Sequence, residues 1–208
     1  MRSLLLQEDI KIIESRLTQF EDKTGCELLL VVADSSDPYP AASLRFGIVA
    51  GFVLSMIFVF FFEFSHHSIY PISFFAFTLL MTWVGHFDSI KRFALTDQEV
   101  TRETSEKAIE SFFSLGSSKV SHKVTAMIMV SLLEHKIHVL VDEKLREKIS
   151  QEELNELVQL MSSRFAEGNT SLGFIHSIEK LEKKILTDFE GRVSEHHVSQ
   201  LANKVFFI

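Results

Sequence analysis

Two stretches decide the reading of this chain: Phe46 to Phe62, FGIVAGFVLSMIFVFFF, and Ile69 to Phe87, IYPISFFAFTLLMTWVGHF. Neither contains an acid, a lysine or an arginine, and the first has a single hydroxyl. At 17 and 19 residues, each is about long enough to cross the hydrocarbon core as a helix. Water is absent there, so a helix that satisfies its own backbone is the expected form. The break between them, Glu63 to Ser68, leaves room only for a tight connection. The pattern predicts a transmembrane helical hairpin over 45–88. The alternative is a pair of buried helices in a soluble core, but such helices usually carry a polar stripe, and none is evident here. Trp83 and Tyr70 lie toward the ends of the second run, where interfacial rings are enriched. Pro71 falls in its first turn, where a missing donor costs little.

The flanks give an orientation. Arg45 precedes the first run, and Lys91, Arg92, Arg102 and Lys107 follow the second, while the connection has no Lys or Arg. By the positive-inside rule both ends of the chain, and the soluble domain they form, face the cytoplasm, with His66-His67 outside.

The 208 residues leave room for one soluble domain beside the hairpin. A net charge of −7 argues against a nucleic-acid partner, which needs a basic face. One cysteine, Cys26, excludes an internal disulfide and any multi-cysteine zinc site. The first seven residues lack the long apolar region and cleavage site of a removable signal.

Outside the hairpin the periodicity predicts alternating helices and strands. Glu8 to Lys23 places Ile10, Ile13, Leu17 and Phe20 on one helical face and stops at Gly25. Glu27 to Ala33, ELLLVVA, suits a strand covered on both faces. Thr101 to Leu115 reads as a helix burying Ala108, Ile109, Phe112 and Phe113, followed by a polar loop at 117–123. Val124 to Leu133 and Ile137 to Val141 read as strands joined by a turn at Glu134 to Lys136. Ser150 and Glu153 have capping-box spacing and open a helix carrying Leu154, Leu157, Val158, Met161 and Phe165, stopped by Gly168. A last clear helix, capped by Thr170, would bury Leu172, Ile175, Ile178, Leu181 and Ile185. In the extension over 189–208, Val198, Leu201 and Val205 fit one more helix.

Strands flanked by helices imply an α/β fold: a three-layer α/β/α sandwich with a small mixed sheet, built from 1–44 and 89–188 and interrupted by the hairpin. The long crossover between the first two strands favours a parallel pair. Their C-terminal ends then share an edge, bringing the Asp34/Asp37 turn close to Glu134, and open α/β sheets bind ligands at that edge. Asp34, Asp37 and Glu134 are the candidate metal ligands, since hard cations such as Ca²⁺ or Mg²⁺ prefer several carboxylate oxygens. The competing reading makes both aspartates turn caps and Glu134 a solvated hairpin residue. Asp142 follows a strand of opposite direction and reads as a cap at the other edge. The histidine pairs His66-His67 and His196-His197 point apart on any regular element, and zinc needs three or four convergent ligands. No nucleophile elbow, phosphate-binding glycine loop or metalloprotease helix occurs.

The order of segments resembles the TPM domain family, named for thylakoid-lumen and related phosphatase-like proteins. The residues that carry the resemblance are Thr24-Gly25-Cys26-Glu27-Leu28 leading into the apolar strand, the Ser-Asp-Pro-Tyr turn, and Val130 to Asp142 with its strand, turn, strand and Asp. The similarity runs from residue 8 to about 188 and is greatest to the membrane subgroup, in which a hairpin interrupts the domain after its first strand. The resemblance implies an α/β/α sandwich and phosphatase activity attributed to plant relatives. Many relatives carry Thr-x-x-Arg-Thr-Gly before the second strand; here SKVSHKV stands over Ser118 to Val124, and His135 replaces the subgroup's usual Arg. Two functions follow. One is a non-catalytic, membrane-anchored module for protein interaction or membrane-complex maintenance, with lipid and other membrane proteins as partners. The other is a metal-dependent phosphatase using Asp34, Asp37 and Glu134.

Overall fold

The structure is a computed structural model that describes residues 5–62, 69–117, 124–189 and 204–208. In chain order the elements are α1 (Gln7–Thr24), β1 (Glu27–Ala33), α2 (Pro40–Phe61), α3 (Ile69–Val84), α4 (Asp88–Ala94) and α5 (Asp97–Ser111). A π-helical turn, Phe112–Ser117, precedes β2 (Thr125–Ser131), β3 (Lys136–Val141), α6 (Glu143–Arg146), α7 (Gln151–Ala166), α8 (Thr170–Asp188) and β4 (Val205–Phe207). They form two compact units, one from Met1–Ser36 and Thr104–Ile208, the other from Asp37–Glu103.

The first unit is mixed α/β. Its sheet has the order β3-β2-β1-β4, with β1 parallel to both β2 and β4 and β2 antiparallel to β3. The parallel register aligns Glu27 with Thr125 and Ala33 with Ser131, so β1 and β2 finish at one level. Both strands are buried along their whole length, as a sheet covered on two faces requires. On one face Leu28, Leu30, Val32, Ala126, Ile128 and Val130 pack with Ile13, Leu17 and Phe20 of α1, Leu157 and Met161 of α7, and Phe174, Ile178 and Leu181 of α8. On the other, Leu29, Val31, Met127 and Met129 pack with Ala108, Phe112 and Leu115. Gly25 takes a left-handed φ of 72° and donates its N–H to Glu21 O, ending α1 where a side chain would be strained. Ser150 and Glu153 form the expected capping box.

Four helix and strand expectations are corrected. The last strand replaces the helix expected near Val205: Val205, Phe206 and Phe207 are consecutive apolar residues, a strand pattern, and they add to the open edge of β1. Residues 204–208 therefore belong to the sheet, while Val198 and Leu201 lie outside the described residues. The helix expected from Thr101 starts at Asp97 instead. Thr96 and Glu99 exchange side-chain and backbone hydrogen bonds and cap it. Its buried residues are Val100, Thr104, Ala108 and Ser111, with Ile109 and Phe113 exposed. In α8, Phe174 rather than Leu172 is buried. The Phe174 ring stands 5.3 Å from that of Phe165, and this contact selects the face. The loop expected at 117–123 lies mostly outside the described residues.

The second unit is helical. Its first helix starts at Pro40, six residues before the apolar run, because Tyr39 adopts a left-handed φ of 51° and Pro40 fits a first helical position. At 22 residues, α2 is long and apolar enough to cross a membrane, and only 17% of its most apolar window is buried. The expectation of two spans is not supported by helix length: α3 has 16 residues and reaches spanning length only together with α4, from which it bends by 109°.

Candidate functional site

The shared C-terminal edge of β1 and β2 carries Asp34 and Glu134, and the three predicted carboxylates are treated differently. Glu134 is buried. Its Oε1 accepts the Ser36 N–H at 2.8 Å, and its Oε2 accepts the Ser131 hydroxyl. The Ser36 and Ser131 hydroxyls are themselves 2.8 Å apart. A carboxylate taken from water needs such donors, and here they come from the chain itself. Asp34 is exposed, and its backbone joins the sheet edge through its N–H to Ile208 O and its C=O to the Leu133 N–H. Asp37 opens the other unit, where its Oδ2 accepts the Tyr39 N–H at 2.7 Å and fixes the turn into α2. Among the described residues, no three His, Cys, Asp or Glu side chains are grouped as a metal site requires. Ser36 and Ser131 were not singled out by the sequence. For Ser131 the signal is a serine ending a buried strand with a glutamate three residues on.

Asp142 caps α6, accepting the Leu145 N–H at 3.0 Å and the Thr125 N–H at 2.9 Å, at the opposite sheet edge. His138 lies on β3 with Nε2 2.9 Å from Thr104 Oγ1, and burial followed by the nearby Lys136 charge lowers its pKa. Burial also pushes the Cys26 thiol up to about 12, outweighing its Thr24 hydrogen bond, so Cys26 is a small apolar core group and not a nucleophile. His66-His67 and His196-His197 lie outside the described residues.

In the second unit, the inward face of α2 is Ser43, Gly47, Gly51 and Ser55, spaced by four. A Cβ on Gly51 would lie 2.6 Å from Thr78 Cα, and one on Gly47 2.8 Å from Thr82 Cα. The helices therefore meet backbone to backbone. Ser55 and Ser73 hydroxyls bond at 2.9 Å, and the Ser43 hydroxyl donates to Gly85 O at 2.9 Å. The outward face is large and apolar: Val49, Phe52, Met56 and Phe60 on α2, and Ile72, Phe75, Leu79 and Trp83 on α3 are all exposed. At the foot of the pair, the Arg45 guanidinium makes two bonds to Glu99, of 2.8 and 2.6 Å, and a third to Ala94 O. This pairing, with the Thr96 hydroxyl, holds the Glu99 carboxyl down to about 2.

No family model and no curated protein matches the chain. Among solved structures, the NMR structure of BA42 protein from the psychrophilic bacteria Bizionia argentinensis sp. nov. is similar, with a TM-score of 0.58 and 12% identity over 98% of this chain and 95% of that one. That likeness concerns the fold alone.

Proposed function

We propose that this chain is a membrane-anchored α/β module of the TPM type, held by α2 and α3 as two bilayer spans, with both flanks and the soluble unit in the cytoplasm. Its work is interaction with, or maintenance of, a membrane protein complex. The observation that carries the reading is the inverted packing of the hairpin: glycine, serine and threonine inside, phenylalanine and aliphatic side chains outside. Water-soluble helices bury the second class and expose polar ones. Lipid removes the hydrophobic force between helices, leaving close small-residue packing and interhelical hydroxyl bonds to join them. The Gly47-x-x-x-Gly51 spacing is the sequence form of this device.

The bonds from Arg45 to Ala94 O and Glu99 support both flanks lying on the same side, because they draw the segments before and after the hairpin to one end. At about 24 Å, α3 is shorter than the ~30 Å hydrocarbon core, a mismatch that local thinning accommodates at modest cost.

The non-catalytic role is supported by Glu134, whose two oxygens are engaged by Ser36 and Ser131. A Ca²⁺- or Mg²⁺-dependent phosphatase using Asp34, Asp37 and Glu134 would have to share with its cation two Glu134 oxygens that each already accept a hydrogen bond. The test uses the full chain in nanodiscs, assayed with p-nitrophenyl phosphate and each of Ca²⁺, Mg²⁺ and Mn²⁺. No turnover is expected. Hydrolysis that disappears in Asp34→Ala would overturn the non-catalytic reading in favour of the phosphatase.

A further inference from the structure

The segment after α3 turns sharply. The short helix α4 follows it at 109°, nearly perpendicular, and packs on α2. Phe93, on α4, is 86% exposed, and Phe87, its N-cap residue, is 56% exposed. Trp83 sits one turn earlier on α3 at 65%, and its ring meets that of Phe87 edge-on with centroids 5.6 Å apart. Lys91 and Arg92 lie on the same short helix, while Asp88 begins it. A largely exposed phenylalanine on a seven-residue helix is costly in water, because its whole ring stays hydrated.

The geometry points to α4 as an in-plane interfacial helix, whose occupant is the headgroup–acyl boundary of the lipid bilayer. This rests on the reading of α2 and α3 as spans. If α3 runs along the membrane normal, a helix bent from it by 109° lies close to the membrane plane. The exposed apolar stripe of α3, Ile72-Phe75-Leu79-Trp83, is then followed by the exposed rings of Phe87 at the bend and Phe93 on α4. Aromatic rings concentrate at that depth, and amphipathic helices lie there with their apolar side toward the acyl chains. Lys91 and Arg92 are basic groups that can reach phosphate at the same level. The role of α4 is thus to set how deeply the hairpin sits.

The chain holds one tryptophan, Trp83, so depth can be read by fluorescence quenching. Full-length protein is reconstituted in phosphatidylcholine vesicles brominated either near the headgroup or near the chain ends. Three proteins are compared: the unaltered chain, Trp83→Phe/Leu79→Trp, and Trp83→Phe/Phe93→Trp. The proposal predicts that position 93 and native Trp83 are quenched most by the shallow bromines, and position 79 by the deeper ones. Quenching at position 79 with none at position 93 would leave the hairpin inserted and place α4 in water, overturning this inference alone. Loss of quenching at all three positions, including the unsubstituted Trp83, would remove the membrane reading itself.

Discussion

The two units solve opposite packing problems with the same twenty side chains. In the α/β unit, Phe20, Phe174, Leu30, Ile128 and Met161 are fully buried, and charged pairs such as Lys180–Glu156 stay outside. In the helical unit, Gly47, Gly51, Ser55 and Ser73 are buried, while Phe60 and Phe93 are the exposed extremes. The first arrangement gains stability by removing apolar area from water. On the proposed membrane reading the second gains none that way, and its helices are joined by close backbone approach and hydroxyl bonds. The difference shows that hydrophobicity alone does not define a core. What matters is which side chains face the neighbouring helix and which face the solvent, whether that solvent is water or lipid.

The contrast can be broken first in the hairpin. Gly51→Leu forces a branched side chain against the Thr78 backbone and should abolish the α2–α3 pairing, seen as loss of protease resistance of the hairpin in nanodiscs with the α/β unit still folded. In the α/β unit, Phe174→Ala should cost about 3–5 kcal/mol by leaving a cavity beside Phe165, read from chemical denaturation. Glu134→Ala leaves the Ser36 N–H and Ser131 hydroxyl without their acceptor and should cost about 1–3 kcal/mol in the same assay. A smaller effect belongs to Ser55→Ala, about 0.6 kcal/mol, because interhelical bonds in lipid are weak on average.

The last prediction concerns pH. Burial holds the folded pKa of His138 below its ordinary 6.5, so the unfolded chain binds the proton more readily. Its contribution to stability is therefore full above about 6.5 and is lost as pH falls through the lowered folded value. A shallow decline in stability on acidification below about 6.5 should flatten in His138→Gln.

Much of this was legible in the chain. The β1 segment ELLLVVA, the parallel β1–β2 pair, the stop at Gly25 and the Ser150–Glu153 cap follow from local rules that tertiary contacts did not override. The apolar hairpin was legible as two helices, but the eye drawn to its phenylalanines passes over the Ser43-Gly47-Gly51-Ser55 stripe, which is the face that packs. The helix face at α5 was misread in part for the same reason, since Ala108 and Phe112 pack as expected but Ile109 and Phe113 do not. Ile109 and Phe113 attract a hydrophobic assignment, whereas Thr104, Ala108 and Ser111 are the residues buried in the unit. Bulk marks exposure here, and smallness marks contact. The sequence reading put Leu172 on the buried face and passed over Phe174, whose packing on the Phe165 ring is a tertiary contact. At the candidate site, sequence placed Asp34 and Glu134 at one sheet edge, as the register requires. Ser131, three residues before Glu134, carried a local signal, whereas Ser36, 98 residues from Glu134, carried none.

The central claim is that the hairpin crosses lipid and returns. Single cysteines at His66, Lys23 and Asp97, each in a Cys26→Ala background, can be labelled with a membrane-impermeant maleimide in sealed vesicles of both orientations. The account predicts labelling of position 66 from one side only, and of positions 23 and 97 only from the other. Labelling of all three from the same side would contradict two spans and leave the hairpin resting on one membrane surface.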